Sequence, residues 1–130
     1  MKLLKISFLL LTITLFAVAC QKDDDDPPFD LGGTTWEDSA NINSIPYKPF
    51  IVAFAADGTA NVTFATSGPF KGFWNKSPNS QIVNFYFTEN STTTWKAQGT
   101  LNGDNNKIES GVLTRLTPSV YTGTFRLSKK

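Results

Sequence analysis

The sequence predicts an all-β domain over residues 31–130, an eight-stranded antiparallel up-and-down barrel. Three observations carry this. Runs rich in Val, Ile, Thr and aromatic residues alternate with clusters of Gly, Asn, Asp, Ser and Pro, and no helical period of apolar residues appears from Leu31 onward. Within each run apolar and polar side chains alternate, which gives every strand one apolar face. The links between runs are short, which favours pairing of sequential neighbours, because Greek-key crossings need a longer connection. Eight strands in a meander can close, and closure removes the two edges that would otherwise invite aggregation. An immunoglobulin-like β-sandwich is the competing architecture.

Strands are expected near 34–42, 48–56, 59–66, 70–76, 81–89, 92–101, 107–115 and 120–128. Asp57-Gly58 is a hairpin signal, and further turns are expected at Ser67-Gly68-Pro69, Ser77-Pro78-Asn79, Glu89-Asn90-Ser91, Gly103 to Asn106 and Thr117-Pro118-Ser119. The alternation predicts an interior built from Phe50, Val52 and Phe54, then Val62 and Phe64, Phe70 and Trp74, and Val83, Phe85 and Phe87. Trp95, Ala97, Gly99 and Leu101 follow, then Ile108, Ser110 and Val112, and last Tyr121, Gly123, Phe125 and Leu127. The opposite phase is polar, with Asn61, Thr63, Lys71, Lys96, Gln98, Thr122, Thr124 and Arg126.

Composition narrows the function. The chain has 130 residues and a net charge of +1, without the concentrated Lys/Arg face a nucleic-acid partner requires. Eleven Phe, three Trp and three Tyr provide large areas to bury. A single Cys forbids an internal disulfide, so burial and strand pairing must hold the domain together. With no His, the usual proton shuttle and metal ligand are missing, and no cofactor is implied. The six carboxylates of the domain are Glu37, Asp38, Asp57, Glu89, Asp104 and Glu109. A hydrolase built on Glu37 or Asp38 with Glu89 is the one catalytic pairing they suggest, and a non-catalytic protein is the favoured reading. Asn102 to Asn106 with Glu109 faintly echoes a calcium loop but lacks its glycine and distal glutamate spacing, so a hairpin turn is expected.

The N-terminus reads as an address. Lys2 and Lys5 precede the uncharged run from Ile6 to Ala19, then small residues stand before Cys20, as in a secretory signal peptide over residues 1–19. Fourteen uncharged residues are short for a bilayer core roughly 30 Å thick, which argues against a permanent span. Val18-Ala19-Cys20 resembles a bacterial lipobox, although Ala17 stands where Leu is usual. The resemblance implies lipidation of Cys20, with acyl chains contributing about 0.8 kcal/mol per buried methylene. Behind it, Gln21, Lys22, Asp23, Asp24, Asp25 and Asp26 resemble the surface-export signal of Bacteroidetes-type lipoproteins. They imply an outer-membrane lipoprotein exposed at the cell surface, with the membrane as partner through its lipid anchor. The same acidic run reads as a solvated tether, and residues 21–30 reach at most about 33 Å from the lipid. Asp38-Ser39-Ala40 resembles the Bacteroidetes-type O-glycosylation site, which implies possible modification of Ser39.

Trp36 follows Gly32-Gly33 on the first strand, hairpins repeat, and the chain closes on Tyr121 to Leu127. Residues 31–130 thereby resemble the small lipocalin-like and avidin-like barrels of the calycin group. The family's Gly-x-Trp is one residue longer here, as Gly33-Thr34-Thr35-Trp36. The resemblance implies a cup for a small apolar ligand lined by Trp36, Phe54, Phe64, Trp74, Phe85 and Trp95. It also implies a late Arg packed across Trp36, for which Arg126 is the positional candidate although its phase points outward. Two other readings stay open. One is a surface module that contacts a glycan or a protein through Phe73, Tyr86 or Tyr47. The other is a structural envelope protein whose rings fill the barrel.

Overall fold

A computed structural model describes residues 28–130; Cys20, the Gln21–Asp26 run and the signal segment lie outside the described residues. Eight strands follow one another: β1 (Thr34–Ile42), β2 (Ile45–Phe54), β3 (Thr59–Phe64), β4 (Ser67–Asn75), β5 (Ile82–Asn90), β6 (Thr93–Leu101), β7 (Lys107–Arg115) and β8 (Tyr121–Lys129). Each pairs antiparallel with its sequence neighbour, and β8 pairs with β1 from Trp36↔Lys129 to Ile42↔Gly123, so the sheet closes into a barrel rather than a sandwich.

Two turns differ from expectation, each for a backbone reason. The β1–β2 hairpin turns on Asn43 and Ser44 with φ of 51° and 65°, the two positive values of a type I′ turn, so β2 begins at Ile45. The β3–β4 link is Ala65-Thr66, with Ala65 at φ 49°, and the expected turn at Ser67-Gly68-Pro69 lies inside β4. Register there steps from Val62↔Phe70 to Phe64↔Ser67, so β4 carries one extra residue at Gly68-Pro69. Between Asp38↔Phe50 and Ala40↔Tyr47, β2 carries one at Lys48-Pro49. Proline cannot donate to a ladder, and both of these prolines sit where a bulge removes the need for a donor.

A third irregularity corrects the predicted interior of β7. Ile108 pairs with Leu127 but Gly111 pairs with Phe125, so β7 is one residue longer than β8 across this step, and Ser110 takes φ 52°. The bulge reverses the alternation beyond it. Ile108, Gly111 and Leu113 face inward, whereas Ser110 and Val112 are exposed. A one-residue slip is all that such a reversal needs.

The interior is filled by a column of rings. Trp74 meets Phe54 at 5.6 Å between centroids, Phe54 meets Phe85 at 5.7 Å, and Phe85 meets Phe125 at 5.5 Å. Phe125 then meets Phe50 at 5.6 Å, Phe50 meets Phe64 at 4.9 Å, and Phe64 meets Trp95 at 6.1 Å. The edge-on contacts set the positive edge of one ring against the negative face of the next, worth about 0.5–1.5 kcal/mol per pair beyond burial. One end of the barrel is shut by the entering chain. Leu31 is fully buried there and Phe29 packs against the core. The buried Trp36 indole donates from Nε1 to Thr34 Oγ1 at 2.8 Å, and Thr34 Oγ1 donates to the Leu31 carbonyl.

Arg126 does not pack across Trp36. It lies on the outer wall, where its Nε meets Asp38 Oδ1 at 3.2 Å, and its side chain is 72% exposed. An exposed pair of this kind contributes about 0–1 kcal/mol. Arg115 stands at the other end of the barrel, on the last residue of β7. The wall alternates buried apolar residues with outward Thr, Lys, Asn, Gln and Arg, a polar outside around an apolar inside, the reverse of a lipid-facing barrel.

Candidate functional site

The β1–β2, β3–β4, β5–β6 and β7–β8 turns share one end of the barrel, and there the interior opens. A hollow of about 370 Å³ sits in this mouth, within the range of small-molecule sites. Its apolar lining comes from Ile42, Ile45, Tyr47, Phe64, Phe70, Trp95 and Tyr121, and its polar lining from Asn43, Ser67, Glu89 and Arg115. Phe64 and Trp95, both nearly buried, are the top of the ring column. Trp95 also stacks on Phe87 at 6.1 Å with planes 7° apart, which fixes the indole from below. Ile45, Leu116, Val120 and Tyr121 are exposed on the two adjoining turns of this end and form an apolar lip.

Both charged groups of the mouth are held. Glu89 Oε2 accepts from Trp95 Nε1 at 3.1 Å. Arg115 Nε donates to the Ser119 carbonyl at 3.0 Å, and its guanidinium carbon lies 3.9 Å from the centre of the Tyr121 ring. Stacking and this hydrogen bond hold the planar fork while leaving its terminal N–H groups for a guest. Trp95 and Arg115 are cross-strand partners, so both charged residues flank one indole.

Of the six ring residues expected to line a cup, the structure brings Phe64 and Trp95 to the hollow. Phe54 and Phe85 are fully buried in the packed column, Trp36 is fully buried beside Thr34 at the shut end, and Trp74 closes that same end, where its Nε1 donates to the Ala55 carbonyl at 2.9 Å. Sequence reasoning missed Ile42, Ile45, Tyr47, Phe70, Tyr121, Glu89 and Arg115 as lining. Their shared signal is position: each lies within a few residues of a turn at the same end, on odd-to-even hairpins. Tyr47, read as an outer contact, lines the mouth and meets the Phe64 ring edge-on at 5.7 Å. Phe73 and Tyr86 do stand on the outer wall, stacked at 4.8 Å, with Phe73 56% exposed.

The remaining candidates fall elsewhere. Glu37 and Asp38 share a shallow surface hollow with Lys48, Ser128, Lys129 and Lys130, whereas Glu89 belongs to the mouth. Glu37 is paired with Lys130. Ser39 is half-buried on β1, and its Oγ donates to Asp38 Oδ1 at 3.0 Å. Asp57 accepts from Thr59 Oγ1 at 2.7 Å and Thr59 N at 2.9 Å, and these bonds, the side-chain one first, hold its carboxyl below the usual aspartate value. The Asn102 to Asn106 loop is a hairpin turn. Asn102 Oδ1 accepts from the backbone N–H groups of Asn106 and Lys107 at 3.0 and 2.9 Å, so this oxygen already serves the turn. Comparison of the chain with family models, with curated proteins and with solved structures returns no match.

Proposed function

We propose that the chain is a lipid-anchored, extracytoplasmic, lipocalin-like binding module that holds a small, mostly apolar ligand in the mouth of its barrel and catalyses nothing. The observation that carries this reading is the aromatic hollow itself. Tyr47, Phe64, Phe70, Trp95 and Tyr121 converge on about 370 Å³ of open space at one end, while the rest of the interior is packed. Burying about 100 Å² of apolar ligand surface there is worth roughly 2.5 kcal/mol, enough to draw an apolar molecule from water. Anchoring is proposed from Cys20, with Gln21, Lys22 and Asp23 to Asp26 directing the protein to the outer face of the outer membrane. The described chain starts at the shut end of the barrel, beside Leu31 and Trp74.

Titration of the purified domain with a fluorescent hydrophobic dye and with a fluorescent fatty acid tests the proposal. Saturable binding that weakens in Tyr47→Ala and Tyr121→Ala is the expected result. Absence of saturable binding would sink it. Labelling of cells with a radioactive fatty acid, lost in Cys20→Ala, tests the anchor separately.

A second reading rests on the outer wall. Exposed Phe73 stacks on half-buried Tyr86, with Lys96 Nζ 6.0 Å from the Tyr86 ring centre and the Asn84–Gln98 amide pair on the neighbouring strands. Flat rings beside carboxamides suit a glycan or a protein surface. Glycan-array binding abolished by Phe73→Ala, with the dye site intact, would favour it.

A further inference from the structure

The mouth carries a cation and an anion, and their arrangement bears on which apolar molecules it selects. Among the described residues, Arg115 is the only Lys or Arg in its lining and Glu89 the only Asp or Glu. The ion pairs among the described residues, Arg126 with Asp38 and Lys130 with Glu37, do not include either. Arg115 is instead fixed to Ser119 and Tyr121, and Glu89 to the Trp95 indole, so each charge is positioned without neutralising the other. Both stand at the rim of one aromatic hollow, on either side of Trp95.

From this arrangement we infer that the mouth selects amphiphiles with a zwitterionic headgroup, its ammonium centre facing Glu89 and its carboxylate or phosphate on Arg115. The inference rests on the binding reading above and names the ligand class for the same site. A purely anionic amphiphile gains Arg115 but shares the hollow with the Glu89 carboxylate, and a purely cationic one gains Glu89 but shares it with the guanidinium. A zwitterion meets an opposite charge at both places. The planar guanidinium fork matches the paired oxygens of a carboxylate or phosphate. The surrounding rings favour an alkylated ammonium, since their negative faces attract the cation and its methyl groups bury against them. The apolar chain then lies on Phe64, Phe70 and Tyr47.

Calorimetric titration of the described domain with five probes of equal chain length tests this: octanol, octanoate, octyltrimethylammonium, the octyl betaine and octylphosphocholine. At least one zwitterion is expected to bind about tenfold more tightly than octanol and than either singly charged probe, the lower end of what charge-assisted hydrogen bonds supply. Which zwitterion it is tells carboxylate from phosphate. Arg115→Met should bring the preferred zwitterion down to the affinity of octyltrimethylammonium, and Glu89→Gln, which keeps an acceptor for Trp95 Nε1, down to that of octanoate. Both residues lie at the rim, and unchanged melting of the variants confirms that folding is not the cause. Equal binding of octanol and both zwitterions would overturn the inference while leaving the binding module standing. Failure of all five to bind would overturn both.

Discussion

The ring of Phe125 occupies the space that a side chain at Gly111 would need. A Cβ at Gly111 would stand 2.4 Å from the Phe125 carbonyl oxygen and 2.6 Å from its Cδ1, and the two residues are register partners across β7 and β8. Gly99 is similar in kind but not in neighbour, its Cβ meeting Ile108 Cγ2 at 2.5 Å and Phe125 Cζ at 3.2 Å. One side of the barrel thus lacks side chains so that Phe125 can lie edge-on to Phe50 and Phe85. Gly111→Ala is expected to cost about 1–3 kcal/mol, because a backbone carbonyl cannot rotate out of the way. Gly99→Ala should cost less, since a methyl group at the end of a side chain can shift. Urea unfolding checks both as a lowered midpoint at constant slope.

At the shut end, stability depends on a two-step hydrogen-bond relay. The fully buried Trp36 indole has Thr34 Oγ1 as its acceptor, and the same hydroxyl donates to the Leu31 carbonyl. Thr34→Val keeps the β-branched shape while removing the hydroxyl; it leaves the Trp36 indole N–H without its acceptor, whereas the Leu31 carbonyl keeps the Thr34 backbone N–H. A loss of about 1–3 kcal/mol is expected, the cost of an unsatisfied buried polar group. Equal stability of Thr34→Val and the parent in thermal melts would show that water takes over the role.

Much of the barrel was legible because period-two alternation and turn chemistry agree from β1 to β8. Asp57-Gly58 announces its hairpin, and the β5 run Val83-Phe85-Phe87 announces its inner face. The misreadings within β2, β4 and β7 share one cause. Bulges at Lys48-Pro49, Gly68-Pro69 and Ser110 add a residue to one strand only, and an alternation read within one strand cannot register what its neighbour does. The candidate site was less legible for a related reason. Phe54 and Phe64 look alike in sequence, both inward rings on consecutive strands, yet Phe54 is packed between Trp74 and Phe85 while Phe64 faces the mouth. Height along the barrel axis separates them. That height follows from the tilt and stagger of all eight strands.

Acid should weaken the β2–β3 hairpin through Asp57. Thr59 donates to its carboxylate from both side chain and backbone, which lowers its pKa in the folded state below the ordinary 3.8. A group whose folded value is depressed contributes stability that is complete above its unfolded value and is lost as pH falls through the folded one. The Asp57 contribution is therefore present at neutral pH and fades below the ordinary value of 3.8. Asp57→Asn keeps an acceptor for the turn but not the charge. Its melting temperature is expected to lie below that of the parent at neutral pH and to converge with it in acid. A constant gap across the pH range would assign the effect to shape rather than ionisation.

Truncations should separate the packed column from the mouth. Phe85 is fully buried and touches Phe54, Phe87 and Phe125, so Phe85→Ala removes ring contacts on three sides and leaves a cavity among residues that cannot all close in. The expected loss is about 3–5 kcal/mol. Tyr121 is 39% exposed at the lip, and its clearest partner is the Arg115 guanidinium. Tyr121→Ala should change stability by no more than about 0.5–1 kcal/mol, yet it removes one wall of the hollow and the platform that holds Arg115. Dye affinity should therefore fall in a variant that unfolds at nearly the parental urea concentration. A Tyr121→Ala protein that loses stability as Phe85→Ala does would instead make the lip part of the folding core, and the mouth would then not be a separable binding site.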